Sequence, residues 1–103
     1  MDKIMNEVCV FLADGFEEIE GLTVVDLLRR AGIETRTVSI MGQEEIKGAH
    51  GIIVKADSLF ENTDFSEVKM LVLPGGMPGT IHLKEHKGLE GLILKHNEEK
   101  KYL

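Results

Sequence analysis

Apolar residues along this chain run together, alternate, or recur every three to four positions, and each pattern predicts a different element. Glu7 to Ala13 reads EVCVFLA, a nearly unbroken apolar run that predicts a strand covered on both faces. Asp14-Gly15 breaks it. From about Phe16 to Ala31 the spacing turns helical, and Gly32 sits where a left-handed C-cap would end that helix. Thr35 to Ile40 predicts a second strand, rich in β-branched residues. Glu44 to Lys47 and Ile52 to Ala56 read as two short strands around the turn Gly48-Ala49-His50-Gly51.

Asp57 to Lys69 is polar and irregular, with a helical turn near Leu59. Met70 to Leu73 predicts another strand, which runs into the loop Pro74-Gly75-Gly76-Met77-Pro78-Gly79. Leu83 to about Lys100 predicts a helix with Leu89, Leu92, Ile93 and His96 on one face. Lys101-Tyr102-Leu103 reads as the start of a further strand. Strand and helix alternate, with one hairpin inserted, and no repeat or linker divides the chain. That order predicts a flavodoxin-like α/β sandwich around a mostly parallel sheet.

The predicted first helix carries unusual acids. At about 100° per residue, Glu17, Glu20, Val24, Leu27, Leu28 and Ala31 share one arc, whose apolar members must face the sheet. Glu17 and Glu20 then lie toward the core, just beyond a strand end, where an ionised carboxylate needs partners. The alternative is that both stay wet in the first turn, where acids favour the helix dipole. Glu18 falls on a different arc and is expected in solvent. Ile19 and Leu22 lie on the opposite, polar arc with Asp26, Arg29 and Arg30, and two apolar residues one turn apart there suggest a subunit contact.

Adjacent glycines after a buried strand, Gly75-Gly76, let backbone amides turn toward an anion or oxyanion, although many ordinary strand-to-helix turns look the same. The loop matches neither the dinucleotide fingerprint nor a nucleotide P-loop. Cys9 lies inside the first strand among Val8, Val10 and Phe11, the setting of a small buried hydrophobe rather than a nucleophile. His82 and His86 are spaced i, i+4, with no third ligand evident. No metal site is expected. His96 belongs at a core edge, and His50 lies in a turn, within reach of a partner or of water.

Composition narrows the classes of partner. Eighteen acidic against twelve basic residues give a formal charge of −6, which repels phosphate backbones and anionic lipid, so neither nucleic acid nor membrane is expected. No stretch approaches the ~20 apolar residues of a membrane span, and the opening Met-Asp-Lys-Ile-Met-Asn-Glu is not a signal peptide. One cysteine excludes an internal disulfide. A cytoplasmic protein is the simplest expectation.

Three segments together resemble one family. Ala13-Asp14-Gly15-Phe16-Glu17-Glu18-Ile19-Glu20 follows the first strand, Val25-Asp26-Leu27-Leu28-Arg29-Arg30-Ala31-Gly32-Ile33 closes the helix, and Leu71-Val72-Leu73-Pro74-Gly75-Gly76 comes later. The chain is similar throughout to the DJ-1/PfpI (ThiJ) family, and more to its DJ-1/YajL branch than to its protease-like branch. The resemblance implies a class I glutamine-amidotransferase-like sandwich. Glu20 matches the glutamate that hydrogen-bonds the family's reactive cysteine and keeps it a thiolate. Gly76 matches the amide of the oxyanion hole, and Gly75 supports the turn. Glu17 matches a second acid lining the pocket, and His50 a basic position that reaches the pocket across a homodimer interface. Ile19 matches an apolar residue buried in that interface.

In the family the cysteine sits on a strand-to-helix elbow, in a segment like Ala-Ala-Ile-Cys-Ala-Gly-Pro, which would begin directly after Leu103. Residues 1–103 are therefore expected to be the amino-terminal part of a single domain, truncated before the nucleophile elbow and inactive alone. A complementary carboxy-terminal fragment is then an expected partner. The resemblance implies a cofactor-free, cysteine-dependent hydrolase or lyase of the glyoxalase/deglycase kind, acting on reactive carbonyls or glycated groups. A redox-sensing or chaperone-like module of the same fold is the alternative reading. An unrelated flavodoxin-like binding domain is a third, and it leaves Glu20 without a role.

Overall fold

The computed structural model describes residues 8–98. Strand β1 (Val8–Leu12) is buried at all five positions, as its unbroken apolar run requires. It leads through a short loop into helix α1 (Glu18–Arg30), which crosses back to strand β2 (Thr35–Ser39). Strands β3 (Glu45–Lys47) and β4 (Ile53–Lys55) form a separate antiparallel hairpin. Strand β5 (Ser58–Leu59) follows, then a 3-10 turn at Phe60–Asn62, strand β6 (Met70–Val72), and helices α2 (Gly79–Glu85) and α3 (Lys87–Glu98).

The main sheet has the order β5-β2-β1-β6 with every pairing parallel, and β1 lies in register with β2 from Val8–Thr35 to Leu12–Ser39. Helices cover it, giving the flavodoxin-like architecture that the alternation predicts. Because side chains alternate along a strand, β1 feeds two cores. Cys9, Phe11 and Ala13 pack with Val38, Leu71, Leu83 and Leu89 on the α2–α3 side. Val8, Val10 and Leu12 pack with Phe16, Val25 and Ile46 on the α1 side.

Four expectations need correcting. The buried line of α1 is Glu18, Gly21 and Val25, with Val24 and Leu28 partly covered, whereas Leu27 is 59% exposed and Ala31 is also outside. The helical period is right but its phase is wrong, because the hairpin covers a flank of α1 that periodicity alone does not reveal. Leu22, expected on the exposed arc with Ile19, is half-buried, while Ile19 is 75% exposed. The single helix expected from Leu83 onward is two helices. His86 adopts extended backbone between them and its Nδ1 accepts the Leu89 N–H at 2.9 Å, so it caps α3. The segment expected to be irregular contains β5, and it sends Phe60, Phe65 and Val68 into the core against Phe11, with Phe60–Phe65 ring centroids 5.0 Å apart.

Leu89 and His96 are buried and Leu92 and Ile93 partly so, as the helix face predicts. Gly32 has the left-handed φ of 81° expected of it. The opening heptad and the strand expected at Lys101–Leu103 lie outside the described residues.

Candidate functional site

Parallel strands present their carboxyl ends together, and β1 and β6 are adjacent, so the loops after them must meet. They meet at glycines. The Glu17 N–H donates to the Gly75 carbonyl at 2.8 Å. A Cβ on Gly76, whose φ is +103°, would lie 2.5 Å from the Glu17 nitrogen and 2.7 Å from the Gly15 carbonyl oxygen. A Cβ on Gly79 would lie 2.7 Å from the Phe16 nitrogen. The glycine turn is therefore pressed backbone to backbone against the β1–α1 loop. Only hydrogen fits at these positions.

Glu20 reaches this contact. It is exposed, not turned into the core, yet its Oε1 accepts the Gly75 N–H at 3.0 Å. Among the described residues no acceptor meets the neighbouring Gly76 N–H. Glu17 is the N-cap of α1 and accepts the Ile19 N–H at 3.2 Å. Four of the five expected site residues, Glu17, Glu20, Gly75 and Gly76, thus gather where the loops after β1 and β6 touch.

The fifth, His50, is held at the edge of this assembly by a residue that sequence reasoning misplaced. Glu18, expected in solvent, is 3% exposed. Its Oε1 pairs with His50 Nδ1 at 2.8 Å, and its Oε2 accepts the N–H groups of His50 at 2.8 Å and Ile52 at 3.2 Å. Burial pushes the Glu18 carboxyl up, but the His50 ring and the backbone donors outweigh it and bring it down to about 2. The bond to Glu18, and then the charges of Glu17 and Glu18, hold the His50 imidazole above its ordinary value. Its tip stays outside, with a side chain 65% exposed.

The signal for this pairing was slender: a second acid in the helix's first turn and a glycine, Gly48, in the facing hairpin. A Cβ on Gly48 would collide with the Glu18 carboxylate. Neither feature names its partner across 32 residues of sequence.

Glu17, Glu18 and His50 also bring one ligand atom each within 4.8 Å of the others. Both Glu18 oxygens and His50 Nδ1 already pair among themselves and with backbone donors, so the arrangement is a hydrogen-bonded cluster rather than an open coordination shell. Cys9 has no exposed surface, and burial, partly offset by the Arg36 charge, pushes its thiol up to about 11. It is not a thiolate at neutral pH. His86 caps α3, and the His96 Nε2 lies 3.1 Å from the Lys69 carbonyl oxygen. Among the described residues no helix is long and apolar enough to cross a membrane.

Known proteins share both the sequence pattern and the fold. The chain is 32% identical over 99 residues to the Arabidopsis thaliana protein DJ-1 homolog A, covering 96% of this chain and 25% of that protein. It is 35% identical over 80 residues to a deglycase of Thermococcus kodakarensis, covering 77% of this chain and 48% of the relative. The structure of oxidized Toxoplasma gondii DJ-1 superposes with a TM-score of 0.88 at 33% identity, covering 91% of this chain and 51% of that one. The chain thus spans between a quarter and about half of the length of these relatives. The DJ-1/PfpI family pattern itself extends over residues 6–103, and the chain belongs to that family.

Proposed function

We propose that the protein carrying this chain is a cysteine-dependent, cofactor-free hydrolase or lyase of the glyoxalase/deglycase kind, acting on small reactive carbonyls or glycated groups. In this reading the chain supplies the acid and the oxyanion donor of the pocket, and the thiol comes from outside these 103 residues. Residues 1–103 then form the amino-terminal part of one domain.

The observation that carries the reading is the 3.0 Å bond between Glu20 and the Gly75 N–H, beside an amide of Gly76 with no acceptor among the described residues. A carboxylate fixed to one backbone amide is held in one orientation, and a neighbouring amide is left to receive developing negative charge. A thiolate would form a C–S bond to the aldehyde carbon while the carbonyl π pair moves onto oxygen, near the Gly76 N–H. Glu20 would take up the thiol's proton and return it to that oxygen, giving a hemithioacetal. With a dicarbonyl substrate, transfer of the former aldehyde proton to the neighbouring carbonyl carbon would convert this to a thioester, which water would cleave to the hydroxy acid and the free thiol. Cys9 is sealed and protonated, which supports an external thiol. The deglycase among the relatives supports the substrate class.

Glu17 would line the pocket, with His50 at its rim. Ile19, 75% exposed beside Glu18 and Glu20, would be covered by a second subunit, with half-buried Leu22 at the margin of that contact.

A second reading is favoured by the oxidized form in which the Toxoplasma relative was solved: oxidation of the thiol, with Glu20 bonding the oxidised sulfur, would be the output. Methylglyoxal consumption by the intact protein tests the choice. Glu20→Gln is expected to lower the rate at least about 100-fold, and the 103-residue chain alone should show no turnover. Turnover by this chain that survives Glu20→Gln would overturn the proposal, and peroxide-driven oxidation without aldehyde turnover would favour the second reading.

A further inference from the structure

The Glu18–His50 pair is the largest feature near the site that the proposed chemistry leaves without a task. It joins the hairpin to the start of α1, at one contact of a three-layer stack. The hairpin tip is tied to the β1–α1 loop by Ala49 N–H to the Phe16 carbonyl and Gly15 N–H to the Lys47 carbonyl, each at 2.8 Å, and by Lys47 N–H to Asp14 Oδ1 at 3.0 Å. That loop is tied in turn to the glycine turn through Glu17 N–H and Gly75. Gly48 has no room for a Cβ against Glu18, nor has Gly76 against Glu17. With hydrogen as the only filler at both contacts, a shift of the hairpin cannot be absorbed between layers.

Glu18 is the first residue of α1, between Glu17, the cap, and Glu20, the acid on the glycine turn. Its carboxylate is buried and has every oxygen engaged, so it fixes the rotation of the helix's first turn about its axis. The direction in which Glu20 leaves the helix follows from that rotation.

We infer that Glu18, held by His50, is a positioning residue that aims Glu20 at the Gly75 N–H, and that the protonation state of His50 sets how firmly it does so. The inference rests on the role proposed above for Glu20 but concerns a contact made wholly within this chain. The charged groups facing His50 are Glu17 and Glu18 from the start of α1. Asp14 on the preceding loop is engaged with the Lys47 N–H, and the Lys47 stem passes Gly51 on the hairpin. An imidazolium between two carboxylates tightens the stack, and a neutral ring keeps one bond to Glu18 without the charge.

Amide hydrogen exchange at Gly75, corrected for intrinsic rate and followed by NMR from about pH 5.5 to 8.5, where carboxylates stay ionised, reads this directly. In the wild-type protein Gly75 protection should fall as pH rises through the His50 titration. His50→Asn should abolish that step and leave protection flat. Glu18→Gln, which keeps an acceptor for the His50 and Ile52 amides, should lower Gly75 protection about tenfold, the effect of losing one hydrogen bond, without changing protection at Val10. Val25→Ala, which weakens the α1 core instead, should lower Val10 protection and spare Gly75. Gly75 protection indifferent to pH in the wild type, or unchanged in both Glu18→Gln and His50→Asn, overturns the inference. Loss of Gly75 protection in these variants, with aldehyde turnover unaffected by Glu20→Gln in the intact protein, upholds the positioning and refutes the catalytic role instead.

Discussion

Replacing Gly76 by alanine tests whether the glycine turn is a tight backbone contact or merely a permissive loop. Two penalties combine at this position. The φ of +103° lies in the region that side chains disfavour, which costs about 1–3 kcal/mol. The new methyl would also stand 2.5 Å from the Glu17 nitrogen, where ordinary contacts begin at 3.4 Å, so the loops must part by roughly 0.9 Å. The three nearest atoms, Glu17 N, Gly15 O and Phe16 C, all belong to backbone, so no side chain can swing aside to relieve them. Parting the loops stretches the Glu17 N–H to Gly75 bond beyond a useful length, a further loss of about 1 kcal/mol. The total is about 2–4 kcal/mol. Urea unfolding of three variants separates the parts. Gly91→Ala, inside α3 with nothing within 4 Å of the added methyl, should stabilise by up to about 1 kcal/mol. Gly32→Ala, with φ of +81° and nothing within 4 Å, should cost only the backbone strain, about 1 kcal/mol. If Gly76→Ala is no more destabilising than Gly32→Ala, the close-approach argument for the site is wrong.

Three further outcomes follow from the same geometry. The Glu18 carboxyl is lowered from 4.5 to about 2, so its contribution is present above pH 4.5 and lost as pH falls toward 2; the His50 contribution is complete below pH 6.5 and lost as pH rises through its raised value. A urea-midpoint profile should therefore show both contributions in full between about pH 4.5 and 6.5, and His50→Asn should remove the alkaline decline; an unchanged alkaline limb in that variant would count against the pair. Cys9, sealed and with its thiol pushed up to about 11, should react with iodoacetamide only on global unfolding, so native-state labelling that outpaces unfolding would refute its assignment. Among the described residues strand β6 ends the sheet on one side, and Leu73, Met77 and Ile81 nearby are exposed; this edge should drive self-association, which size-exclusion chromatography would contradict by a compact monomer across concentrations.

The parts of this fold that sequence reveals are those whose cause is local. The unbroken apolar run of β1, the β-branched β2 and the left-handed glycine ending α1 each carry their signal within a few residues, and each appears where expected. Glu20, Gly75 and Gly76 come together for a similarly simple reason: loops after neighbouring parallel strands must converge. What sequence hides is decided by contacts made at long range. Glu18 resembles any solvated acid until the hairpin folds over it, and the phase of α1 shifts for the same cause. The break at His86 depends on a ring nitrogen acting as a cap, a role that residue spacing does not announce. Strand β5 has two residues and, among the described residues, pairs with β2 alone, too short to leave a periodic trace.

These close approaches bear on how such a site can be assembled from separate segments. Gly15 meets Pro78 and Gly79, Gly76 meets Glu17, and Gly79 meets Phe16, all with no space for a side chain. The two loops therefore behave as one rigid body, welded by backbone packing and by the Glu17–Gly75 bond. Glu20 is already fixed to that body through Gly75, and Glu18 anchors the helix turn from behind. On the proposed reading, the acid and amide half of the pocket would thus have its geometry set before the thiol arrives. Little ordering entropy would then remain to be lost on this side when the proposed reactive group is delivered, which is the condition for fast chemistry at a site built from distant pieces of chain.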